Sequence, residues 1–234
     1  MSLKIADLLK AGCHFGHQTK RWNPKMSDYI YSEKNGVHII NVNKTSAMLD
    51  VALKEVSRVI KSGGSILFVG TKKQAKHIVR EAAEKCGMPY VTERWLGGML
   101  TNQKTILNSI GEIEAIERLL KDSKDALITK KELGMLSKKR ERVLKNLSGV
   151  RDMKTLPDLV FIIDIMNDEL AVNEAKKLRI PVLAMVDSNC DPDIVDYVIP
   201  SNDDAMKSIK LIAEAVSDTV SASKTEKKAK VKAK

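Results

Sequence analysis

The chain has 234 residues, a formal net charge of +10 and 43% hydrophobic residues, so it can bury one ordinary α/β core plus an accessory element and is not disordered throughout. Aromatic residues make up only 4%, which leaves the core to aliphatic side chains. No apolar run approaches the roughly 20 residues that span a bilayer, and the N-terminus lacks the charged-then-apolar pattern of a signal peptide. Cys13, Cys86 and Cys190 form no CxxC pair, which suits a reducing compartment and disfavours a disulfide framework or a zinc ribbon.

The first informative segment is His14-Phe15-Gly16-His17-Gln18-Thr19-Lys20-Arg21-Trp22-Asn23-Pro24-Lys25-Met26, read as a loop before the first strand. It mixes cations, amides and a tryptophan, a combination that meets phosphates by charge, ribose by hydrogen bonds and a base by stacking. Val37–Val42 then reads as a buried parallel strand, and Asn43-Lys44-Thr45 as the cap of a helix that buries Met48, Leu49, Ala52, Val56 and Val59. Ser65–Val69 is a second apolar strand. Ala75, Ile78, Val79 and Ala82 mark a helix stopped by Gly87 and Pro89.

Glu93-Arg94-Trp95-Leu96-Gly97-Gly98-Met99-Leu100-Thr101-Asn102 follows, with paired glycines that permit close backbone approach. Trp95 either anchors what comes next to the sheet or contacts RNA. From 101 to 149 the strand–helix alternation breaks. Ile106, Ile110, Ile113, Ile116 and Leu120 form one apolar seam, and Leu133, Leu136, Val143, Leu144 and Leu147 a second. Lys121–Asp125 is a polar turn between them, so the segment is expected to be a helical hairpin inserted into the α/β domain. Its second arm carries Lys130, Lys131, Lys138, Lys139, Arg140, Arg142 and Lys145 against Glu132 and Glu141, either as a solvated face or as a nucleic-acid surface.

Leu159–Ile163 and Val182–Val186 read as further parallel strands, with a helix through Ala171, Ala175 and Leu178 between them and a shorter strand at Tyr197–Ile199. A last amphipathic helix, capped near Asn202 or Asp203, buries Ile209, Ile212, Ala213, Val216 and Val220. Lys224–Lys234, with six lysines and one glutamate, is expected to be disordered. Alternating strands and helices of this kind build a parallel sheet covered on both faces. The expected organisation is an α/β domain from 1–100 and 150–222, a helical hairpin at 101–149 and a tail at 223–234.

Such a sheet invites a nucleotide at its strand ends, near Gly70-Thr71-Lys72-Lys73, Asp164 and Asp187-Ser188-Asn189. However, no GxGxxG and no GxxxxGK[ST] accompanies those positions, and a lone glycine before lysines is more often an ordinary turn. His14 and His17, or the Asp187, Asp191 and Asp193 loop, offer metal donors, but loop residues without a metal are the simpler reading. No GxSxG elbow is present.

Three long blocks in order carry a family resemblance: Leu9–His17 running on to Trp22–Met26; Arg94–Asn102; and Pro157–Asp164 with Asn173-Glu174-Ala175 and Ile180-Pro181-Val182. They resemble the bacterial-type ribosomal protein S2 family, over nearly the whole chain from Leu8 to about Val220. The resemblance implies a three-layer, flavodoxin-like (Rossmann-like) parallel sheet with an inserted coiled-coil hairpin. It also implies a cytoplasmic, non-enzymatic constituent of the small ribosomal subunit, seated between head and body. Such a protein binds rRNA, supports docking of ribosomal protein S1, and uses no cofactor, metal, membrane or small-molecule substrate. A homo-oligomer is not expected. Combined with the local chemistry, RNA contact is expected from His14, His17, Gln18, Lys20, Arg21, Trp22, Asn23, Lys25, Arg94, Trp95, Thr101, Asn102, Lys130, Lys131, Lys138, Lys139 and Arg140. The alternatives are a nucleotide-dependent enzyme acting at the strand ends and a helical adaptor for proteins only.

Overall fold

The computed structural model describes residues 3–121 and 130–232. Five strands form a parallel sheet: β4 (Ile66–Val69), β5 (Tyr90–Val91), β6 (Leu159–Ile162), β7 (Val182–Val186) and β8 (Tyr197–Pro200). Their spatial order is β5-β4-β6-β7-β8, with all four neighbouring pairs parallel. Counted along the sheet this is 2-1-3-4-5, the flavodoxin-like order. The strands are apolar on both faces because both faces are covered.

Within each strand, alternate residues serve opposite layers. Ile66, Phe68, Leu159, Phe161, Ile163, Leu183, Met185 and Ile199 pack against three helices, α2 (Val42–Ser62), α3 (Lys76–Cys86) and α7 (Met206–Lys232). Phe68 and Phe161 meet edge to face, with centroids 5.5 Å apart. Leu67, Val69, Val160, Ile162, Val182, Ala184 and Val186 point to the other layer, which holds α6 (Glu169–Lys177), Trp95, Met99, Leu100 and Met26. The same layer receives Ile106 and Ile110 from α4 (Gln103–Lys121) and Leu147 at the end of α5 (Lys130–Leu147). The base of the hairpin is therefore part of the main core. Ile113 and Ile116 are also buried but lie outside that cluster, in the hairpin's own seam. The polar turn expected at Lys121–Asp125 lies, from 122 onward, outside the described residues.

Three expectations are corrected. Val37–Val42 is not a strand of the parallel sheet: β3 (Val37–Ile40) is the centre of a separate antiparallel sheet, flanked by β1 (Phe15–Gln18) and β2 (Ile30–Lys34). The reason is visible in its burial, which alternates along the strand, whereas every residue of β4, β6 and β7 is buried. The hairpin from β2 to β3 turns on Asn35 and Gly36, at φ of 54° and 74°, the left-handed pair that closes a two-residue hairpin. The cap of α2 is Asn41, whose Oδ1 accepts from the amides of Asn43 and Lys44; Asn43–Thr45 already lie within the helix. Finally, α7 continues to Lys232 instead of giving way to disorder at 223. Its extension is held on the domain: Ser223 bonds Ser57, Lys224 donates to the carbonyls of Cys86 and Gly87, and Lys61 pairs with Glu226.

Candidate nucleic-acid interface

In a sheet of this order a ligand would sit beyond the carboxyl ends of β4 and β6, where the winding direction reverses. Here that crevice is filled by the chain's own side chains. The backbone amide of Thr71 donates to Asp168 Oδ2 at 3.2 Å, and its hydroxyl donates to Asp168 Oδ1 at 2.7 Å. Asp168 is 2% exposed, so a carboxylate occupies the anion position that the turn after β4 offers. The Lys72 amine lies 3.2 Å from Asp164, 2.7 Å from Asp203 and 2.6 Å from Asp204. That contact ties the ends of β4 and β6 to the segment after β8. Burial, with Asp164 and Asp187 nearby, pushes the Asp203 carboxyl up to about 7 despite Lys72. Gly70 serves packing, since a Cβ there would fall 2.7 Å from Val79 Cγ2.

His17 continues the same network. Its Nδ1 is 3.1 Å from Asp187 Oδ1, without hydrogen-bond alignment, and its Nε2 is 3.3 Å from Asp204 Oδ2. The adjacent Asp187 carboxylate raises the imidazole above its ordinary pKa against the opposing effect of burial, with Asp203 and Asp204 adding to the rise. His17, Asp187 and Asp203 present donor atoms within 4.8 Å of one another, as do Asp164, Cys190 and Asp203; these are the described residues able to share a cation. Lys72 already supplies a covalently attached cation to the second of these groups. Burial pushes the Cys190 thiol well above its usual range, which opposes thiolate ligation.

The segment from His14 to Met26 is consequently an ordered strap. The His17 amide donates to Ser188 Oγ, the Asn23 amide donates to Ser188 O, and the Lys25 amine pairs with Asp191 and Asp193 at 2.8 and 2.9 Å. Lys25 thus fills the carboxylate loop considered above as a metal position. Of the strap's expected contact residues, His14, His17 and Asn23 are partly buried, whereas Gln18, Lys20, Arg21 and Trp22 are exposed. Trp22 leans on buried His38 at 5.1 Å between ring centroids, yet keeps 38% of its surface free.

The second expected segment divides in the same way. Trp95 is buried and its indole donates to Glu174, which also accepts from the amides of Gly98, Leu100 and Thr101 and from the Thr101 hydroxyl. This is the anchoring alternative for Trp95. Asn102 accepts from Thr105 at the entry to α4, and Arg94 is exposed. On the hairpin, Lys139 pairs with Glu112 and Arg140 with Glu117, which also holds Arg151. Lys131 and Lys138 are exposed and, among the described residues, take no part in an ion pair; the side chain of Lys130 lies outside the description. Sequence reasoning gave no anchoring role to Ser188, Asp168 or Glu174. Their partners are 73 to 171 residues away, and no local pattern signals such pairs.

What the strand ends, the strap and α5 present together is a filled crevice beside exposed cations, amides and one half-open tryptophan. The sequence profile of the family described as Ribosomal protein S2 matches residues 8–223. The chain is 52% identical over 217 residues to the small ribosomal subunit protein uS2 of Chlorobium phaeovibrioides, covering 93% of this chain and 84% of that one. It is 54% identical to the protein of the same name from Chloroherpeton thalassium, covering 93% and 87%. It is also 54% identical to the one from Chlamydia abortus, covering 94% and 79%. With a profile match across most of its length and relatives more than half identical, this chain belongs to the ribosomal protein S2 family.

Proposed function

We propose that the protein is a structural constituent of the small ribosomal subunit in the cytoplasm. In this reading it binds small-subunit rRNA between head and body, supports docking of ribosomal protein S1, and catalyses nothing. RNA contact is assigned to Gln18, Lys20, Arg21 and Trp22 on the strap, to Arg94, and to the exposed lysines of α5. His17, Lys25, Trp95, Thr101, Lys139 and Arg140 act one step back, by fixing the surfaces from which those residues reach out. The observation that carries the non-enzymatic reading is the strand-end crevice: Asp168 takes the donors a phosphate would need, and Lys72 is neutralised by three carboxylates. A dinucleotide or nucleotide would have to displace both. Family membership favours the ribosomal partner.

Two measurements on the purified protein test this. Co-sedimentation with small subunits lacking it is expected to be stoichiometric, and equilibrium dialysis against ATP and NAD is expected to give no retention at millimolar ligand. Saturable nucleotide binding without co-sedimentation would favour the enzyme reading instead.

A further inference from the structure

Once Lys139 and Arg140 are set aside as partners of α4, the remaining α5 cations with described side chains fall into a pattern. Lys131, Lys138 and Lys145 are exposed and recur every seven residues. Seven residues advance an α-helix by about 10 Å and drift its azimuth by only about 20°. The three amines therefore stand in one row, on the face turned away from Leu133, Leu136, Leu144 and Leu147, which are less exposed. Exposed Glu141 borders this row, about 60° from Lys138 by helical geometry.

Gly134 borders this row on the same side as Glu141, about 60° from Lys131 and about 40° from Lys138 by helical geometry. It is exposed, and a Cβ added there would meet nothing within 4 Å. Glycine inside a helix is unfavourable relative to alanine, and among the described residues no packing compensates for it. The missing side chain leaves room for something to approach α5 closely from outside. The neighbouring side chain, Met135, is 64% exposed and the row is otherwise cationic, so the face has too little apolar surface to dock a hydrophobic partner.

We infer that the Lys131–Gly134–Lys138–Lys145 face of α5 is a track for the sugar-phosphate backbone of duplex RNA, with the backbone approaching the helix at Gly134. This rests on the rRNA-binding reading and narrows it. A-form RNA is recognised through phosphates and 2′-hydroxyls across its wide minor groove, without base readout. A row of flexible amines at about 10 Å intervals suits such contacts, each amine meeting a separate phosphate and displacing its counterions. The contact is sequence-independent and sets orientation.

The test is the salt dependence of binding of the full-length protein to deproteinised small-subunit rRNA. Lys131→Ala/Lys138→Ala/Lys145→Ala is expected to lower the slope of log affinity against log salt by two to three, roughly one per phosphate contact. Lys139→Ala, whose amine is already paired with Glu112, is expected to move it by much less. Gly134→Gln is expected to weaken binding several-fold at fixed salt while helicity by far-UV circular dichroism is unchanged or greater. A slope unchanged by the triple substitution overturns the track, as does equal sensitivity to Lys139→Ala or an affinity indifferent to Gly134→Gln. Loss of subunit incorporation with an unchanged rRNA slope would instead assign the face to a protein neighbour and overturn it too. Failure of the unsubstituted protein to bind rRNA at all would remove the broader reading itself.

Discussion

Glu174 shows how much of this structure turns on single buried groups. Its carboxylate is 7% exposed and gathers five donors, from the Trp95 indole, the amides of Gly98, Leu100 and Thr101, and the Thr101 hydroxyl. Burial would raise its pKa, but the amides of Thr101, Gly98 and Leu100 and the indole outweigh burial and hold it below the usual carboxylate range. The sign of the linkage follows. A depressed folded-state pKa contributes stability that is fully present above the unfolded value of about 4.3 and is lost as pH falls through the folded value. Glu174→Gln keeps the shape but turns an NH2 group toward donors, leaving buried N–H groups unpaired at about 2 kcal/mol. The expected result is a thermal midpoint lower by roughly 5 °C at pH 7, and a smaller loss between pH 5 and pH 3 than the unsubstituted protein shows. Thermal melts across that range check both. Equal acid sensitivity in the two proteins would mean that Glu174 is not the titrating anchor. Nothing local in the sequence marks this residue, because its donors lie on a segment more than 70 positions earlier.

The elements were legible where their periodicity was long and their surroundings uniform. The strands β4, β6 and β7 read as buried because continuous apolar runs of four or five residues have few other uses. Gly87, at φ of 60°, terminates α3 as its position after the periodic residues implied. β3 was misplaced because a short apolar run does not say which sheet it joins; the Asn35-Gly36 pair ahead of it was the available sign of a hairpin and hence of an antiparallel partner. β5 has two residues, too short for any pattern to register. The hairpin was legible from its seams, and the structure divides those seams into a base shared with the main core and an outer part. Ile113, 2% exposed, belongs to the outer part. Ile113→Asp places a carboxylate there without a partner and is expected to cost several kcal/mol. Because Ile106, Ile110 and Leu147 hold the base against the sheet, the damage should stay local. Limited proteolysis is expected to cleave between about 110 and 145, with the remaining domain still melting in one cooperative transition. Loss of that transition would mean that the hairpin and the sheet fold as a single unit.

Across the whole molecule, a parallel sheet with a nucleotide-binding order has its ligand crevice closed by internal ion pairs, while a strap and a helix face carry exposed cations. Function here cannot be read from the fold, since the same sheet order serves unrelated chemistries; it has to be read from which polar groups are already used. The sequence named the segments but could not divide their residues into anchored and exposed ones. That division depends on partners such as Ser188, Asp191 and Glu174, which only the folded chain brings near. The strap offers the sharpest test of it. Its attachment rests on the β1–β3 pairing, the Ser188 hydrogen bonds, the His17 contacts and the Lys25 ion pairs, none of which involves the side chains of Arg21 or Trp22. Trp22 adds a ring contact to His38 but remains 38% exposed, so truncating it forfeits only part of a full aromatic burial. Arg21→Ala/Trp22→Ala is therefore expected to lower the thermal midpoint by no more than about 3 °C while reducing incorporation into small subunits several-fold. His17→Ala is expected to do the reverse in proportion, with a larger drop in midpoint, because it unties the strap from Asp187 and Asp204. Melting and subunit reconstitution, measured on the same preparations, separate the two effects. A large stability loss with normal incorporation in the double variant would show that Arg21 and Trp22 belong to the strap's packing and would remove them from the RNA surface.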